Sequence, residues 1–175
     1  FVIGDVSGKG LPASLFMAVT KALAKSAALR GAEGVGAIVA TANLEISREN
    51  PEQLFVTLVA GILDTESGDV ELCNAGHDAP WLIGANGAAR VSVDSGPPLC
   101  VLEGFPYPVT RRRLAPGDTL CLITDGITEA MNAAGDLYGS QRLAAVLAKP
   151  CTGVKQVVAT LHADVKDFVG DAEPS

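Results

Sequence analysis

Two aspartates in this chain stand where an apolar run gives way to a sharp turn. Phe1-Val2-Ile3-Gly4-Asp5-Val6 runs into Ser7-Gly8-Lys9-Gly10, and Leu120-Cys121-Leu122-Ile123-Thr124 runs into Asp125-Gly126. A carboxylate at a strand end reaches solvent without being sealed in a core. Two such carboxylates suit a shared hard cation such as Mg2+ or Mn2+, which takes carboxylate, carbonyl and water oxygens. The turn after Asp5 can aim a backbone carbonyl at the same ion. The competing reading makes each Asp a turn or capping residue, since Asp is common before glycine. Spacing alone leaves both readings open, for Asp5 and for Asp125.

Other polar residues carry weaker signals. Gly4 to Gly10 invites a nucleotide-binding loop, but only Asp5, Val6 and Ser7 separate Gly4 from Gly8-Lys9, and Gly10 stands where the motif needs Ser or Thr. The lost hydroxyl removes the usual magnesium ligand, so that reading fails. His77, in Asn74-Ala75-Gly76-His77-Asp78-Ala79-Pro80, is a general acid or base candidate, with a hydrogen-bonding turn residue as the favoured reading. Asp118 belongs to a Pro-Gly-Asp turn. Glu129 is expected near the start of a helix, where a carboxylate complements the dipole. Trp81 reads as core. Arg111-Arg112-Arg113 cannot share one face of a strand and is expected to protect an edge. Cys73, Cys100, Cys121 and Cys151 form no CxxC pair and have no ligand-like spacing to His77 or His162, which argues for reduced core thiols and against zinc.

The elements that position these residues follow from period and punctuation. Phe1 to Val6 reads as a strand and Pro12 to about Arg30 as a helix, with proline tolerated in the first turn. Val35, Ile38, Val39, Ala42 and Ile46 form the stripe of a core-facing helix that Asn50-Pro51 ends. Leu54 to Leu63 and Val70 to Asn74 read as a hairpin around Asp64 to Gly68. Pro80 to Ile83 and Ala88 to Val93 flank Asn86-Gly87, a two-residue turn signal. Val109 to Arg113 and Thr119 to Thr124 flank Ala115-Pro116-Gly117-Asp118. The chain then turns helical, with a short Gln141 to Ala148 segment and an amphipathic stripe from Val154 to Phe168. Successive hairpins between helix pairs predict an α+β fold with mainly antiparallel sheets, and no linker or repeat divides it: residues 1–175 read as one domain.

Composition narrows the function. The 175 residues can bury one substantial core, built from Ala, Val, Leu and Ile, because aromatic residues are only 5%. The formal charge of −7 argues against a nucleic-acid-binding footprint. No apolar run approaches the roughly 20 residues of a membrane helix, and no signal-peptide layout appears, so a cytoplasmic location is expected. From the start at Phe1 without methionine, an excised domain or a trimmed sequence is expected.

Four segments taken together resemble one family: Asp5-Val6-Ser7-Gly8-Lys9-Gly10-Leu11-Pro12-Ala13-Ser14, Asn74 to Pro80, Thr124-Asp125-Gly126-Ile127-Thr128-Glu129-Ala130, and Tyr138-Gly139 before Arg142-Leu143. In order and spacing they are similar to the sporulation stage II protein E-like (SpoIIE-like) branch of the metal-dependent protein phosphatases, the PPM superfamily. The resemblance implies an α-β-β-α sandwich of two antiparallel sheets flanked by helix pairs. It implies hydrolysis of phosphoserine or phosphothreonine on a bacterial signalling protein, typically a STAS-domain anti-anti-sigma factor, by water activated between two Mn2+ or Mg2+ ions. By that resemblance Asp5 bridges both ions, the Val6 carbonyl adds a ligand and Asp125 holds one ion. Lys9 is a weaker candidate for contacting phosphate, against a solvated loop charge. A sensor or regulatory domain is expected elsewhere in the protein, and the helices from Pro12 to Ile46 are expected to act as a switch.

The chain departs from the family pattern in three places. The family's aspartate on a strand before the Asp5 motif has no counterpart here, nor has its terminal strand with paired aspartates, so the first and last strands are expected to be missing. Asp171, amid Gly and Pro, lacks the following apolar strand and is not taken as that ligand. Ser7 stands where eukaryotic-type relatives carry His, which leaves the general acid unassigned. The rival reading is a catalytically incomplete module that binds a STAS-type partner without turnover.

Overall fold

The computed structural model describes residues 1–48 and 50–170, so Asp171 lies outside the described residues. These residues form two compact units: Phe1–Ala79 with Ser92–Leu114, and Pro80–Val91 with Ala115 onward. Helices and mainly antiparallel sheets make both, as the α+β expectation required.

In the first unit, β1 (Val2–Val6), β2 (Val56–Leu63) and β3 (Asp69–Ala75) are successive antiparallel neighbours. The β2–β3 hairpin forms where the sequence placed it, closed by Asp64, whose side chain accepts from the Glu66 and Ser67 N–H groups. β2 starts two residues late because the Asn50 side chain takes both backbone groups of Leu54, at 2.6 and 2.9 Å, and removes them from the ladder. Helices α1 (Gly10–Leu29) and α2 (Gly34–Ser47) pack on one another and on this sheet. Val35 and Val39 of α2 meet Val56, Leu58, Cys73, Ala75, Leu99 and Tyr107 in a core of small aliphatic residues. Buried Asn43 pins the loop beyond that core, accepting from Cys100 N–H at 2.8 Å and donating to Leu102 C=O at 2.9 Å.

Two pairings differ from the sequence reading. β6 (Ser95–Gly96), too short to leave a pattern, runs parallel to β3. The strands on either side of Ala115 to Asp118 do not pair with each other: β7 (Thr110–Arg113) joins β3, while β8 (Thr119–Cys121) joins β4 (Trp81–Gly84) in the second unit. The Asp118 carboxylate accepts from Ala115 N–H at 2.9 Å and closes the tight turn locally. What β7 finds across the ladder is Glu71 and Asp69 for Arg111 and Arg113, at 2.9 and 3.8 Å. Arg111 and Arg113 therefore form a cross-strand ion-pair surface, while Arg112, on the other face, donates to the Ser92 carbonyl at 2.9 Å.

The second unit holds the three-stranded sheet β5-β4-β8, with β5 at Gly87–Arg90. Its hairpin loop is Ala85-Asn86, one residue earlier than expected, because Gly84 pairs with Gly87. Helices α3 (Asp125–Thr128), α4 (Gly139–Leu147) and α5 (Val154–Val169) follow. Trp81 is core, with Ile123, Tyr138, Leu143, Leu147 and Leu161. No helix among the described residues is long and apolar enough to cross a membrane.

Candidate functional site

The register of β1 decides what its end can offer. Phe1 and Gly61 exchange both backbone bonds, at 2.9 and 3.0 Å, so by antiparallel alternation Ile3–Val59 and Asp5–Thr57 are also bonded pairs. Val2, Gly4 and Val6 then turn their N–H and C=O groups away from β2, toward the edge of the sheet that no strand among the described residues covers. The Val6 carbonyl, the expected ligand, is on that edge. Asp5 is exposed and directly opposite Thr57, so both side chains lie on one face.

The ladder stops at Ser7 by side-chain substitution. Ser7 N–H still donates to Phe55 C=O at 2.9 Å, but Phe55 N–H donates to Ser7 Oγ at 2.8 Å rather than to a backbone carbonyl. The chain leaves through Gly8 and Gly10, whose φ values of 89° and 82° suit glycine, and enters α1. Lys9 is exposed at the cap position of α1, and its side chain makes no capping bond.

A second polar turn reaches the same face. Buried Asn74 closes Asn74–His77 from both sides, donating to His77 C=O at 2.9 Å and accepting from His77 N–H at 2.8 Å. Ser95 Oγ accepts from Gly76 N–H at 3.2 Å and donates to Asn74 Oδ1 at 3.3 Å. Gly76 has φ 72°, and a Cβ there would stand 2.7 Å from the Pro98 ring. The His77 imidazole Nδ1 lies 2.9 Å from Thr57 Oγ1, which is itself 3.4 Å from the Asp5 carbonyl oxygen. The turn role expected of His77 is thus met by its backbone, while its ring joins the Asp5 neighbourhood through Thr57. Thr57 carried no signal in the sequence beyond being β-branched in a strand.

In the second unit, β8 ends at Cys121 and Asp125 opens the four-residue α3, exposed to solvent. Its carbonyl accepts from Glu129 N–H at 2.7 Å and from Thr128 Oγ1 at 3.2 Å. Glu129 closes α3 instead of opening a longer helix, so its carboxylate sits at the end where the dipole does not favour it. Tyr138 and Arg142 both donate to Asp164 Oδ1, at 2.9 and 2.6 Å, and the Arg142 guanidinium stacks over Tyr138 and Phe168. That motif ties α4 to α5. All four cysteines are free, and burial pushes the Cys73 thiol up to about 12.

Asp5, Val6 and Lys9 therefore lie on one short segment of the first unit, joined there by Thr57 and His77, and Asp125 lies on the second. Among the described residues no three of His, Cys, Asp and Glu come together as a ligand group. The donors present are an exposed carboxylate and an edge carbonyl in the first unit and an exposed carboxylate in the second. All are oxygen, which fits a hard divalent cation and not a thiophilic one.

The sequence profile of the Stage II sporulation protein E (SpoIIE) family matches residues 1–175. Protein IcfG of Synechocystis sp. (strain ATCC 27184 / PCC 6803 / Kazusa) is 24% identical over 168 residues, covering 81% of this chain and 26% of that protein. The chain thus spans about a quarter of the curated relative it matches. Among solved structures, the SiaA-PP2C domain of Pseudomonas aeruginosa superposes with a TM-score of 0.79 at 18% identity, covering 99% of this chain and 70% of that one. The PP2C phosphatase domain of SpoIIE from Bacillus subtilis, with a fragment of its regulatory domain, gives 0.77 at 19% identity, covering 97% and 49%. The fold is shared with these phosphatase domains.

Proposed function

The chain belongs to the stage II sporulation protein E family, and from that membership we propose that it is a metal-dependent protein serine/threonine phosphatase domain. The observation that carries the reading is the end of β1: an exposed carboxylate on a fixed ladder, next to a carbonyl that faces away from β2 and followed by a glycine turn into a 20-residue helix. Solved structures of the same fold include RsbX in complex with magnesium and the catalytic domain of PstP in complex with 2 manganese ions, each with a TM-score of 0.65. Asp5, the Val6 carbonyl and Asp125 are the groups of this chain that would hold such ions. Ions held by these groups would supply a water of lowered pKa and charge stabilisation for phosphate oxygens.

The chain's own residues supply the rest. Asp5 stays solvent-facing and is held by its backbone, so its carboxylate is available without unpairing the strand. A phosphoserine dianion is favoured at the positive end of α1, and the exposed Lys9 ammonium beside that end adds a cation for its oxygens. Ser7 Oγ, the hydroxyl nearest Asp5 along the chain, accepts from Phe55 N–H. Hydrolysis by water is the reaction this family membership implies. The substrate class we propose is a phosphorylated STAS-type anti-anti-sigma factor in the cytoplasm, with a sensor or regulatory domain in the same protein.

The test is phosphate release from a phosphoserine peptide and from p-nitrophenyl phosphate by the full-length protein. Turnover is expected with Mn2+ or Mg2+, and EDTA is expected to remove it. Undiminished turnover in Asp5→Ala and Asp125→Ala would sink the two-ion reading. Partner binding with no turnover under any metal would establish the non-catalytic module instead.

A further inference from the structure

The Asn74–His77 turn is more heavily determined than a strand connection needs. Asn74, 2% exposed, bonds both backbone groups of His77. Gly76 is held by Ser95, by Pro98 against its α-carbon and by a bridge to Leu58 of β2. What this framework delivers is one imidazole nitrogen, 2.9 Å from the Thr57 hydroxyl. Thr57 is the cross-strand partner of Asp5.

A hydroxyl carries a single proton. If Thr57 Oγ1 donates to the Asp5 carbonyl, 3.4 Å away, it must accept from the ring. The relay then runs from His77 Nδ1–H to Thr57 Oγ1, and from Thr57 O–H to the Asp5 C=O. It ends at Asp5, two residues before the ladder gives out at Ser7. We propose that His77 is a positioning residue for Asp5: its ring orients the Thr57 hydroxyl, which steadies the backbone that aims the Asp5 carboxylate. The inference rests on the reading of Asp5 as a cation ligand, and its test separates the two.

The measurements are Mn2+ titration by calorimetry and amide exchange over residues 4–8, on the full-length protein. His77→Phe keeps the ring bulk without the nitrogen, and Thr57→Val keeps the shape without the hydroxyl. Each is expected to weaken Mn2+ binding about tenfold, the low end for a group one step behind a ligand, and to speed exchange at Asp5 and Val6. His77→Asn, which returns a polar atom near the Nδ1 position, and Thr57→Ser are expected to recover to within about twofold of the parent, as a relay broken only at its polar atoms should. The double variant is expected to be no worse than either single one, because both remove the same relay. Losses that multiply in the double variant overturn the proposal, as do a tenfold loss in His77→Asn or unchanged exchange in His77→Phe. Mn2+ binding that survives Asp5→Ala overturns the ligand reading instead, and the exchange measurement still decides the positioning.

Discussion

The end of β1 and the start of α3 both present an aspartate to solvent, but they are held by different kinds of contact. Asp5 is fixed by partners some 50 residues away: a bonded pair with Thr57, the Ser7–Phe55 closure at 2.8 and 2.9 Å, and the relay to His77. Asp125 is fixed by residues three and four positions on, Thr128 and Glu129, in a helix of four residues. Contacts between near neighbours open with the local segment, whereas long-range contacts open only with the sheet. The first carboxylate is therefore the rigid one and the second the more readily displaced.

The same contrast runs through the polar clamps of the two units. Buried Asn43 in the first joins segments nearly 60 residues apart, and buried Asn74 adds a Ser95 contact to the turn it closes. Half-buried Asn132 in the second closes its own turn, accepting from Ala134 and Asp136 N–H groups. The ionic clamp of the second unit joins two helices over 22 residues through Arg142 and Asp164.

The largest effect expected is on turnover. Asp5→Ala should cost about 100-fold or more, above the usual loss for a group one step behind a metal, and Asp125→Ala should cost less because its segment can readjust. Initial rates against Mn2+ concentration check this, and a reversed order breaks the comparison. Next comes stability. Asn43→Ala removes a fully buried side chain and its bonds to Cys100 N–H and Leu102 C=O and should cost about 2–3 kcal/mol by urea unfolding, against about 1 kcal/mol for Asn132→Ala. Similar losses would show that long-range and local clamps do not differ.

Two tyrosines sharpen the picture. Tyr138 donates to a carboxylate, so Tyr138→Phe should cost about 1.5 kcal/mol; the Tyr107 hydroxyl is buried with no partner among the described residues, so Tyr107→Phe should be neutral or stabilising by up to about 1 kcal/mol. Burial first, and the Asp164 charge beside it, push the Tyr138 phenol from 10.0 up to about 12. The stability this represents is intact below pH 10 and lost as pH rises through 12, so Tyr138→Phe should flatten the alkaline limb of Tm against pH. Arg142 holds the Asp164 carboxyl below its ordinary 3.8. Its contribution is present above that value and lost as pH falls through the lower folded one, and Asp164→Asn should flatten the acid limb. The smallest effect is at Cys100, a non-glycine residue at φ 70°. Cys100→Gly should relieve strain and stabilise by about 0.5–1 kcal/mol, read as a rise in Tm.

Much of the fold was legible because it is local. The stripes of α2 and α5 and the β2–β3 hairpin follow from period and turn residues. The pairing of β7 was not legible: a Pro-Gly-Asp turn between two strand-like runs has the look of a hairpin, yet each strand found its partner elsewhere. Glu129 was misplaced for the same reason, since nothing nearby announces that α3 stops after one turn. In the candidate site, Asp5, Val6, Lys9 and Asp125 stood out because carboxylates and glycines at strand ends are visible in one dimension. Thr57 did not, because a threonine in a strand is ordinary until its cross-strand neighbour is known.

The sequence by itself determined the residue types at the strand ends, the helical stripes and the family, since each depends on neighbours within a few positions or on the order of motifs along the chain. The tertiary structure alone decided that the Val6 carbonyl faces away from β2, that Asn43 is spent on distant backbone, and that the His77 ring meets Thr57 opposite Asp5. Those follow from register, and register is set by which strands pair and which face is buried, information that no local stretch of the chain contains.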